Sequence, residues 1–321
     1  MNKTALIPEI EQIRIAVILP CYNEEEAIAG VVKAFHNALP QAQIVVCDNN
    51  SDDNTTAAAQ SAGAVVIHES RRGKANAVRR LFHSVDADIF ILCDGDMTYD
   101  ASVSPRLVKT MILEKLDMIV CARSPKEDQK TYRPGHIFGN FAFTASLRIF
   151  FGGQLNDVLS GYRILSRQFV KSFPVLSKGF DIEVEMTVHA LAIGISIHEE
   201  KTQYSERPKG SFSKLKTFRD GFRIARTIMR LLVDFQPLKV FLLAAVIQAM
   251  ISLIMFQPVL SIYLETGLVD RLPTIVLCLG VMITGILTGF CGIILDTISR
   301  QRLEIKKMSF LAVKSLEKDS G

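Results

Sequence analysis

A pair of aspartates separated by one residue is the most chemically specific feature of this 321-residue sequence. Asp94 and Asp96 lie on either side of a glycine, directly after the apolar run Ile89 to Cys93. Two carboxylates on such a turn can share a hard divalent cation, whose remaining positions are filled by phosphate oxygens and water. The spacing therefore predicts a metal-bound diphosphate. The alternative is a solvated turn in which one aspartate caps a helix.

Two other polar clusters suit the remaining parts of a nucleotide. Asp48 follows the apolar run Gln43 to Cys47, and its carboxylate can accept hydrogen bonds from a base N–H or a ribose hydroxyl. The turn Arg71 to Lys74 is cationic, contains a glycine and leads into a predicted helix, which suits a diphosphate. The alternatives are helix capping by residues near Asp48 and an ordinary solvated charge run at the basic turn.

Two arginines further along the chain suit a phosphomonoester. The guanidinium group is a planar fork that pairs with phosphate through two hydrogen bonds. We therefore expect Arg123 and Arg163 to bind phosphate near the end of a strand. The alternative for both side chains is a buried ion pair.

The elements that must position these residues follow an alternating pattern. Short apolar runs alternate with helix-like stretches, which is typical of a parallel sheet with helices on both faces. The runs are Ile13 to Leu19, Gln43 to Cys47, Ala64 to His68, Ile89 to Cys93 and Asp117 to Cys121, and the helix-like stretches are residues 24–39, 54–62, 73–84 and 102–115. Ligands of such sheets bind beyond the carboxyl ends of the strands, where the polar clusters fall.

Two long apolar runs near the C-terminus indicate a membrane protein. Val240 to Leu264 and Leu272 to Leu295 contain 25 and 24 residues and no charged residue. A helix of that length crosses the hydrocarbon core, so we predict two transmembrane helices. We expect Pro258 to end or kink the first helix. The alternative is a buried helical hairpin in the core of a large soluble protein.

The distribution of charge predicts the orientation in the membrane. Residues 201–239 contain ten basic and three acidic residues, and residues 300–307 contain four more basic residues. The loop between the apolar runs holds only Glu265, Asp270 and Arg271. Positive flanks stay in the cytoplasm, so we expect an inner-membrane protein with both termini and the N-terminal region cytoplasmic.

The N-terminus and the cysteines agree with a cytoplasmic domain. Residues 1–12 contain charged residues and no continuous apolar core, so we expect no secretory signal. The six cysteines show no CxxC spacing and lie mostly in apolar runs. We expect reduced, packed thiols with neither disulfide nor metal roles.

An amphipathic helix is predicted between the two regions. From Ser213 to Phe235, apolar residues recur at steps of three and four, and basic residues occupy the other positions. Such a helix can lie in the membrane interface, or pack on the N-terminal region or on a neighbouring subunit. We thus expect a catalytic domain at 1–212, a juxtamembrane helix at 213–237, a transmembrane hairpin at 238–299 and a tail at 300–321. The GxxxG spacing of Gly285 and Gly289 is consistent with an expected homo-oligomer.

Taken in order, these motifs resemble the family 2 glycosyltransferases, which have the nucleotide-sugar-binding GT-A fold. The resemblance rests first on Leu19 to Glu25, on the Asp48 cluster and on Asp94-Gly95-Asp96. Two later segments, Asp157 to Arg163 and Arg207 to Lys214, resemble the polyprenyl-phosphate branch. That branch includes dolichol-phosphate mannosyltransferases and undecaprenyl-phosphate glucosyltransferases, and some members have two C-terminal spans.

The resemblance implies roles for individual residues. We expect Asp94 and Asp96 to bind Mg²⁺ or Mn²⁺. Expected nucleotide-sugar ligands are Pro20, Tyr22, Glu24, Asp48, Lys74 and Asp94; expected acceptor-phosphate ligands are Arg123, Arg163, Ser166, Arg207 and Lys214; expected catalytic residues are Asp96, Asp157 and Arg163. Many relatives have glutamine where this chain has Thr98, and Asp-Asp-Gly where it has Asp48-Asn49-Asn50.

These inferences predict a metal-dependent, inverting glycosyltransferase. We expect it to move one sugar from a nucleotide donor, first a UDP-hexose, to a polyprenyl phosphate, first undecaprenyl phosphate, at the cytoplasmic leaflet. A phosphate acceptor is largely dianionic at neutral pH, so a general base is not essential; Asp157 is the best candidate, before Glu183 and Glu185. We expect partners to be the sugar nucleotide, the lipid and the membrane, and not nucleic acid.

Four other functions remain open from the sequence. The first is a polyprenyl-phosphate mannosyltransferase of the same branch that uses GDP-mannose as donor. The second is a glycosyltransferase that acts on a hydroxyl of a glycan or glycolipid. A catalytically silent membrane scaffold would keep the fold without turnover. A metal-dependent nucleotidyltransferase is disfavoured by the two spans and by the absence of a glycine-rich first turn.

Overall fold

The computed structural model describes residues 13–125, 155–177, 181–205, 226, 229–269 and 271–314. Arg207, Lys214 and most of the predicted amphipathic helix lie outside these ranges; only residues 226 and 229–235 of it are described, and they are helical. The chain divides into two compact units, Met1–Ile228 with Lys306–Gly321, and Met229–Ile305.

A mixed seven-stranded sheet forms the centre of the first unit. Its strands are β1 (Ile15–Cys21), β2 (Gln43–Asp48), β3 (Val65–His68), β4 (Ile89–Leu92), β5 (Met118–Pro125), β6 (Arg163–Ser166) and β7 (Ile197–Tyr204). Their order across the sheet is β3-β2-β1-β4-β6-β5-β7. Strand β6 runs antiparallel to its neighbours β4 and β5, and the other paired strands are parallel.

Helices cover both faces of this sheet. They are α1 (Glu25–Ala38), α2 (Thr55–Ser61), α3 (Lys74–Ser84), α4 (Ser104–Leu113), α5 (Arg167–Ser172) and α6 (Ile182–Ile193). Side chains alternate across a strand, so Leu19 of β1 joins Phe35 of α1 in one apolar core. On the opposite face, Phe82 of α3 contacts Phe90 of β4 edge to face. The predicted α/β fold with helices on both faces is confirmed.

Strand β6 sets the location of two predicted site residues. Its register pairs Arg163 with Leu92 at the carboxyl end of β4, and Ser166 with Ile89 at the amino end. A strand rises about 3.3 Å per residue, so these two side chains lie at opposite edges of the sheet. The apolar pattern of the sequence does not predict β6 or β7.

Two helices, both of which begin in the second unit, are long and apolar enough to cross a membrane. They are α7 (Pro237–Thr266) and α8 (Leu272–Ala312). In their most apolar windows only 6% and 17% of residues are buried, so these helices do not form the core of a soluble domain. Helix α7 continues through Pro258, so the proline does not end it. Helix α8 extends beyond the predicted run, which ended at Leu295.

Glycines of α8 bring it close to α7. A Cβ at Gly285 would lie 3.3 Å from the Cβ of Gln248, and one at Gly292 would collide with Phe241. The Ser252 hydroxyl of α7 also donates to the Cys278 carbonyl of α8, at 2.8 Å. A Cβ at Gly289 would lie 3.8 Å from the Cβ of Ala245, so both glycines of the GxxxG spacing face α7 of the same chain. The homo-oligomer remains a prediction.

Candidate active site at the carboxyl ends of the strands

The predicted polar residues gather at the carboxyl edge of the sheet. Asp48 is the last residue of β2, Asp94 and Asp96 follow β4, and Arg123 lies near the end of β5. The loop after β4 also approaches β1 closely, because a Cβ at Gly95 would collide with the Cys21 thiol. Glycine at this position therefore lets the two aspartates sit directly above the sheet.

Asp96 is held in one orientation by Thr98. The Asp96 Oδ1 atom accepts hydrogen bonds from the Thr98 N–H, at 3.2 Å, and from its hydroxyl, at 2.6 Å. Both residues are buried. Thr98 therefore orients the Asp96 carboxylate. This role differs from that of a metal ligand.

Asp94 is the more exposed of the two carboxylates, with 29% of its side chain accessible. Gly161 lies against it, and a Cβ there would collide with the carboxylate group. The absence of a side chain at 161 therefore creates the space that Asp94 occupies.

Lys74 connects Asp94 to a second carboxylate. Its ammonium group lies 2.5 Å from Asp94 Oδ1 and also contacts the carboxylate of Glu183. Burial lowers the pKa of Lys74, but the two carboxylates more than offset this, so the pKa lies above its ordinary value. Burial raises the pKa of Glu183, and Lys74 opposes that shift. No local pattern in the sequence predicts these contacts of Lys74 with Asp94 and Glu183.

Asn49 holds the basic turn in place. Its side-chain amide donates to the carbonyls of Glu69, at 3.1 Å, and Arg71, at 2.8 Å, while its carbonyl accepts from the Gly73 N–H at 2.6 Å. The turn from 69 to 73 is thus fixed to the end of β2, and Lys74 follows it directly. The Asn49 position, which departs from the usual pattern of relatives, has a defined structural role here.

Asp48 has a buried oxygen atom that accepts no hydrogen bond within the part of the chain that the structure describes. Its Oδ2 atom lies 3.5 Å from Nδ1 of His68, whereas Oδ1 is buried and accepts no hydrogen bond from the described residues. A buried acceptor without a partner is costly in free energy, so such atoms point to ligands. A base N–H or a ribose hydroxyl has the required chemistry.

The other expected nucleoside residues lie on β1 and the loop that follows it. Tyr22 donates to Asp52 Oδ2 at 3.4 Å, and the guanidinium of Arg72 lies 5.1 Å from its ring centre. Glu24 is buried, and its N–H donates to the Thr55 hydroxyl at 2.8 Å. Pro20 pairs in register with Cys47 of β2. This loop therefore connects the ends of β1 and β2.

Arg123 and Asp157 form a bidentate ion pair. Nε and Nη2 of Arg123 donate to the two carboxylate oxygens at 2.7 and 2.8 Å. Burial raises the pKa of Asp157, but the hydrogen bonds and charge of Arg123 outweigh it, so the pKa lies below its ordinary value. A carboxylate held in this way is a weak general base, and its evident effect is to orient the arginine.

Arg163 lies at the same edge of the sheet, but its side chain is buried in the interior. Its guanidinium is fully buried and donates to the carbonyls of Ser160, at 3.1 Å, and Val158, at 2.8 Å, and to the Thr187 hydroxyl at 2.9 Å. Its donors are therefore engaged with the chain itself. This placement does not fit the expected role in binding the acceptor phosphate; Arg163 instead holds the segment that follows Asp157.

Ser166 also lies away from the site. Its hydroxyl caps α5 by accepting from the Phe169 N–H at 3.1 Å, and it donates to Asp117 Oδ1 at 3.2 Å. Because β6 is antiparallel, Ser166 lies at the amino edge of the parallel strands. A role in binding acceptor phosphate at the carboxyl edge does not fit this location.

The pair Asp94 and Asp96 suits a divalent cation. Within the described residues, no group of three or more His, Cys, Asp or Glu side chains could hold a metal ion. Two hard oxygen donors, one partly exposed and one oriented by Thr98, match a cation that takes its other ligands from phosphate and water.

Comparison with known proteins shows that this chain resembles glycosyltransferases. Residues 16–173 match the family model Glycosyl transferase family 2. An uncharacterized protein of Shigella flexneri is 44% identical over 49% of this chain and 97% of its own length. Glycosyltransferase AglJ of Haloferax volcanii is 30% identical over 64% of this chain and 68% of its own. The dolichyl-phosphate hexose transferase of the same organism is 26% identical over 68% and 94%.

A solved structure shares the fold. Glucosyl-3-phosphoglycerate synthase of Mycobacterium tuberculosis, in complex with Mn²⁺, UDP and glucosyl-3-phosphoglycerate, is 21% identical, with a TM-score of 0.57. The alignment covers 73% of this chain and 83% of that one. The chain therefore belongs to glycosyl transferase family 2, and its relatives group it with the polyprenyl-phosphate branch of that family.

Proposed function

We propose that this glycosyltransferase transfers one hexose from a UDP-sugar to a polyprenyl phosphate, with undecaprenyl phosphate as the preferred acceptor. The proposal rests on the set of side chains at the carboxyl edge of the sheet. Asp94 and Asp96 lie there together with the unsatisfied buried oxygen of Asp48 and with Arg123, in a chain with two long apolar helices. Donor chemistry and acceptor chemistry are both represented by these side chains.

The donor side of the site consists of the carboxylates of Asp48, Asp94 and Asp96, and Thr98 orients Asp96. Asp48 would accept a hydrogen bond from the base or the ribose, and Asp94 and Asp96 would hold Mg²⁺ or Mn²⁺ against the diphosphate. When bound, the cation supplies positive charge to the leaving diphosphate. The related mycobacterial structure with UDP and Mn²⁺ supports this donor and this class of cation.

The acceptor side requires a positioned cation more than a base. The second pKa of a phosphomonoester is near ~6, so the acceptor is largely dianionic at neutral pH and needs no deprotonation. Arg123, oriented by Asp157, is the described arginine at this edge that would align the phosphate. Direct displacement by the phosphate oxygen inverts the anomeric centre.

The membrane arrangement supports a lipid acceptor at the cytoplasmic leaflet. Nine of the ten basic residues in 201–239 lie before α7, and further basic residues follow the apolar part of α8. Positive flanks of this kind keep the catalytic unit and both termini in the cytoplasm, where sugar nucleotides are made. The names of relatives, such as the undecaprenyl-phosphate mannosyltransferase of Micrococcus luteus, support the same class of acceptor.

Activity of the full-length protein in detergent tests this function. Labelled UDP-glucose, undecaprenyl phosphate and Mn²⁺ should yield a lipid-linked monosaccharide, and GDP-mannose should be compared as donor. Asp96→Asn should lower turnover at least ~100-fold, because the diphosphate loses its clamp. Asp86→Asn, which alters an exposed ion pair with Arg14, is the matched control and should keep wild-type turnover.

Three results would refute the proposal. Undiminished turnover by Asp96→Asn would show that this pair does not serve the leaving group. Transfer to unphosphorylated undecaprenol, but not to its phosphate, would instead indicate a hydroxyl acceptor. Absence of turnover with every sugar nucleotide tested would favour a silent scaffold.

A further inference from the structure

A buried lysine joins two carboxylates from distant parts of the chain. Lys74 begins α3, Asp94 follows β4, and Glu183 lies on α6, 109 residues from the lysine in sequence. The side chains of Lys74 and Glu183 are 10% and 5% exposed, whereas Asp94 is 29% exposed. One ammonium group therefore lies between two carboxylates, and Asp94 is the more exposed of the two.

A divalent cation that binds Asp94 must compete with this ammonium group. The two cations would repel each other if both stayed on the same carboxylate. A buried ammonium group that loses its counterion is strongly unfavourable, so Lys74 needs another partner at that moment. Glu183 already contacts Lys74 and is available for that purpose.

We propose that Glu183 is a positioning residue that retains Lys74 when a divalent cation takes over Asp94. Lys74 is then the resident cation of the metal-free site, and Glu183 makes its exchange for a metal ion favourable. This inference rests on the proposed function, which brings the metal and the diphosphate to Asp94. It gives Glu183 a role that differs from that of a general base.

The neighbouring glutamate shows that this role is specific to Glu183. Glu185 lies two residues further along α6, and its carboxylate accepts hydrogen bonds from the N–H groups of Leu176 and Ser177, both at 2.8 Å. It therefore fixes the chain before α6. Glu183 is the residue of this pair that contacts the lysine.

Binding of Mn²⁺ to the full-length protein in detergent, with UDP present, tests the exchange. Loss of the free Mn²⁺ signal in electron paramagnetic resonance reports the dissociation constant without turnover. Glu183→Gln should weaken Mn²⁺ binding about tenfold, because Lys74 then pairs with Asp94 alone. Without UDP, where a contact of Lys74 with the diphosphate plays no part, Lys74→Met should bind Mn²⁺ about tenfold more tightly than the wild type, because the competing cation is gone.

A conservative variant separates position from net charge. Glu183→Asp keeps the negative charge but shortens the side chain by one methylene group, so its carboxylate no longer reaches Lys74. We expect at least ~3-fold weaker Mn²⁺ binding, although the charge is unchanged. Glu200→Gln, which breaks an ion pair with Arg106, is the matched control and should bind Mn²⁺ like the wild type.

The outcomes distinguish this inference from the proposed function. Wild-type affinity in Glu183→Asp would reduce the effect to net charge and overturn the exchange, as would weaker binding in Lys74→Met without UDP. If Glu183→Gln does not fold, Lys74→Met and Glu183→Asp still decide. Failure of the wild type to bind Mn²⁺ with UDP, or wild-type affinity in Asp96→Asn, would overturn the proposed metal site and the exchange with it.

Discussion

At the scale of single residues, the site depends on glycines as much as on charged side chains. Gly95 lets the loop after β4 approach Cys21, and Gly161 leaves room for the Asp94 carboxylate. The two glycines therefore position the aspartates by leaving space for them. Substitution at such a position tests geometry without removing a functional group.

Gly161→Ala is the clearest substitution of this kind. The atoms that a Cβ would meet belong to the Asp94 carboxylate, which is the end of a side chain and can move aside. The protein should therefore fold, but with Asp94 displaced. A displacement of ~1 Å in a reacting group costs about 100-fold in rate, so kcat/KM should fall by that order.

The measurement combines steady-state kinetics with thermal unfolding. Gly280→Ala is the control, because a Cβ there has no neighbouring atom within 4 Å. Both variants should unfold near the wild-type temperature. Wild-type kcat/KM in Gly161→Ala would show that the placement of Asp94 is not critical.

Residue type alone could not assign the roles of the arginines and of Lys74. Arg123 and Arg163 carry the same group, yet Arg123 is partly exposed and Arg163 is fully buried among carbonyl groups. The difference follows from the position of each residue in the sheet. The contact of Lys74 with Glu183 spans 109 residues, so no local pattern could indicate it.

At the scale of elements, periodicity predicted the first five strands along the chain and missed the last two, β6 and β7. The apolar runs for β1 to β5 and the helices between them are confirmed within a few residues. Strand β6 has only four residues, and β7 is an edge strand with the polar sequence Ile197 to Tyr204, so neither shows an apolar run. Because β6 has no apolar run, the sequence does not reveal its antiparallel direction, which places Ser166 at the amino edge of the parallel strands.

Helix α6 carries a buried histidine that should make stability depend on pH. His189 contacts the rings of Phe169 and Phe173, and its Nε2 atom is buried without a partner among the described residues. Burial, with a smaller contribution from the positive charge of Lys306, lowers its pKa to about 3. The folded protein therefore keeps this ring neutral at pH values where the unfolded chain binds a proton.

The direction in which stability changes with pH follows from this difference in proton binding. Between the unfolded pKa of about 6.5 and the folded pKa of about 3, the unfolded state binds more protons, so stability falls as pH falls. At pH 5.5 the loss from His189 should be about 1.4 kcal/mol, or about 3–6 °C in unfolding temperature.

His189→Phe tests this effect by removing the titrating group. The variant should lose about 3–6 °C less than the wild type between pH 7.5 and 5.5, as followed by circular dichroism. His83→Gln, at an exposed position on α3, is the control. An equal pH response in wild type and His189→Phe would contradict the argument.

At the scale of the whole molecule, the account requires the catalytic unit and the C-terminus on the same side of the membrane. Reporter fusions test this. Alkaline phosphatase inserted after Thr266, in the loop between α7 and α8, should be active in the periplasm, and a fluorescent protein at the C-terminus should fluoresce in the cytoplasm. The reverse pattern would place the donor site on the side without sugar nucleotides.

The central claim is that Asp94 and Asp96 clamp a cation and a sugar donor's diphosphate at the carboxyl edge of the sheet. Anomalous diffraction from crystals of the full-length protein with Mn²⁺ and UDP tests it most directly. The account predicts one manganese peak in contact with both carboxylates and with the phosphates of UDP. UDP bound at this edge without metal at either aspartate, or manganese and UDP bound elsewhere, would contradict it.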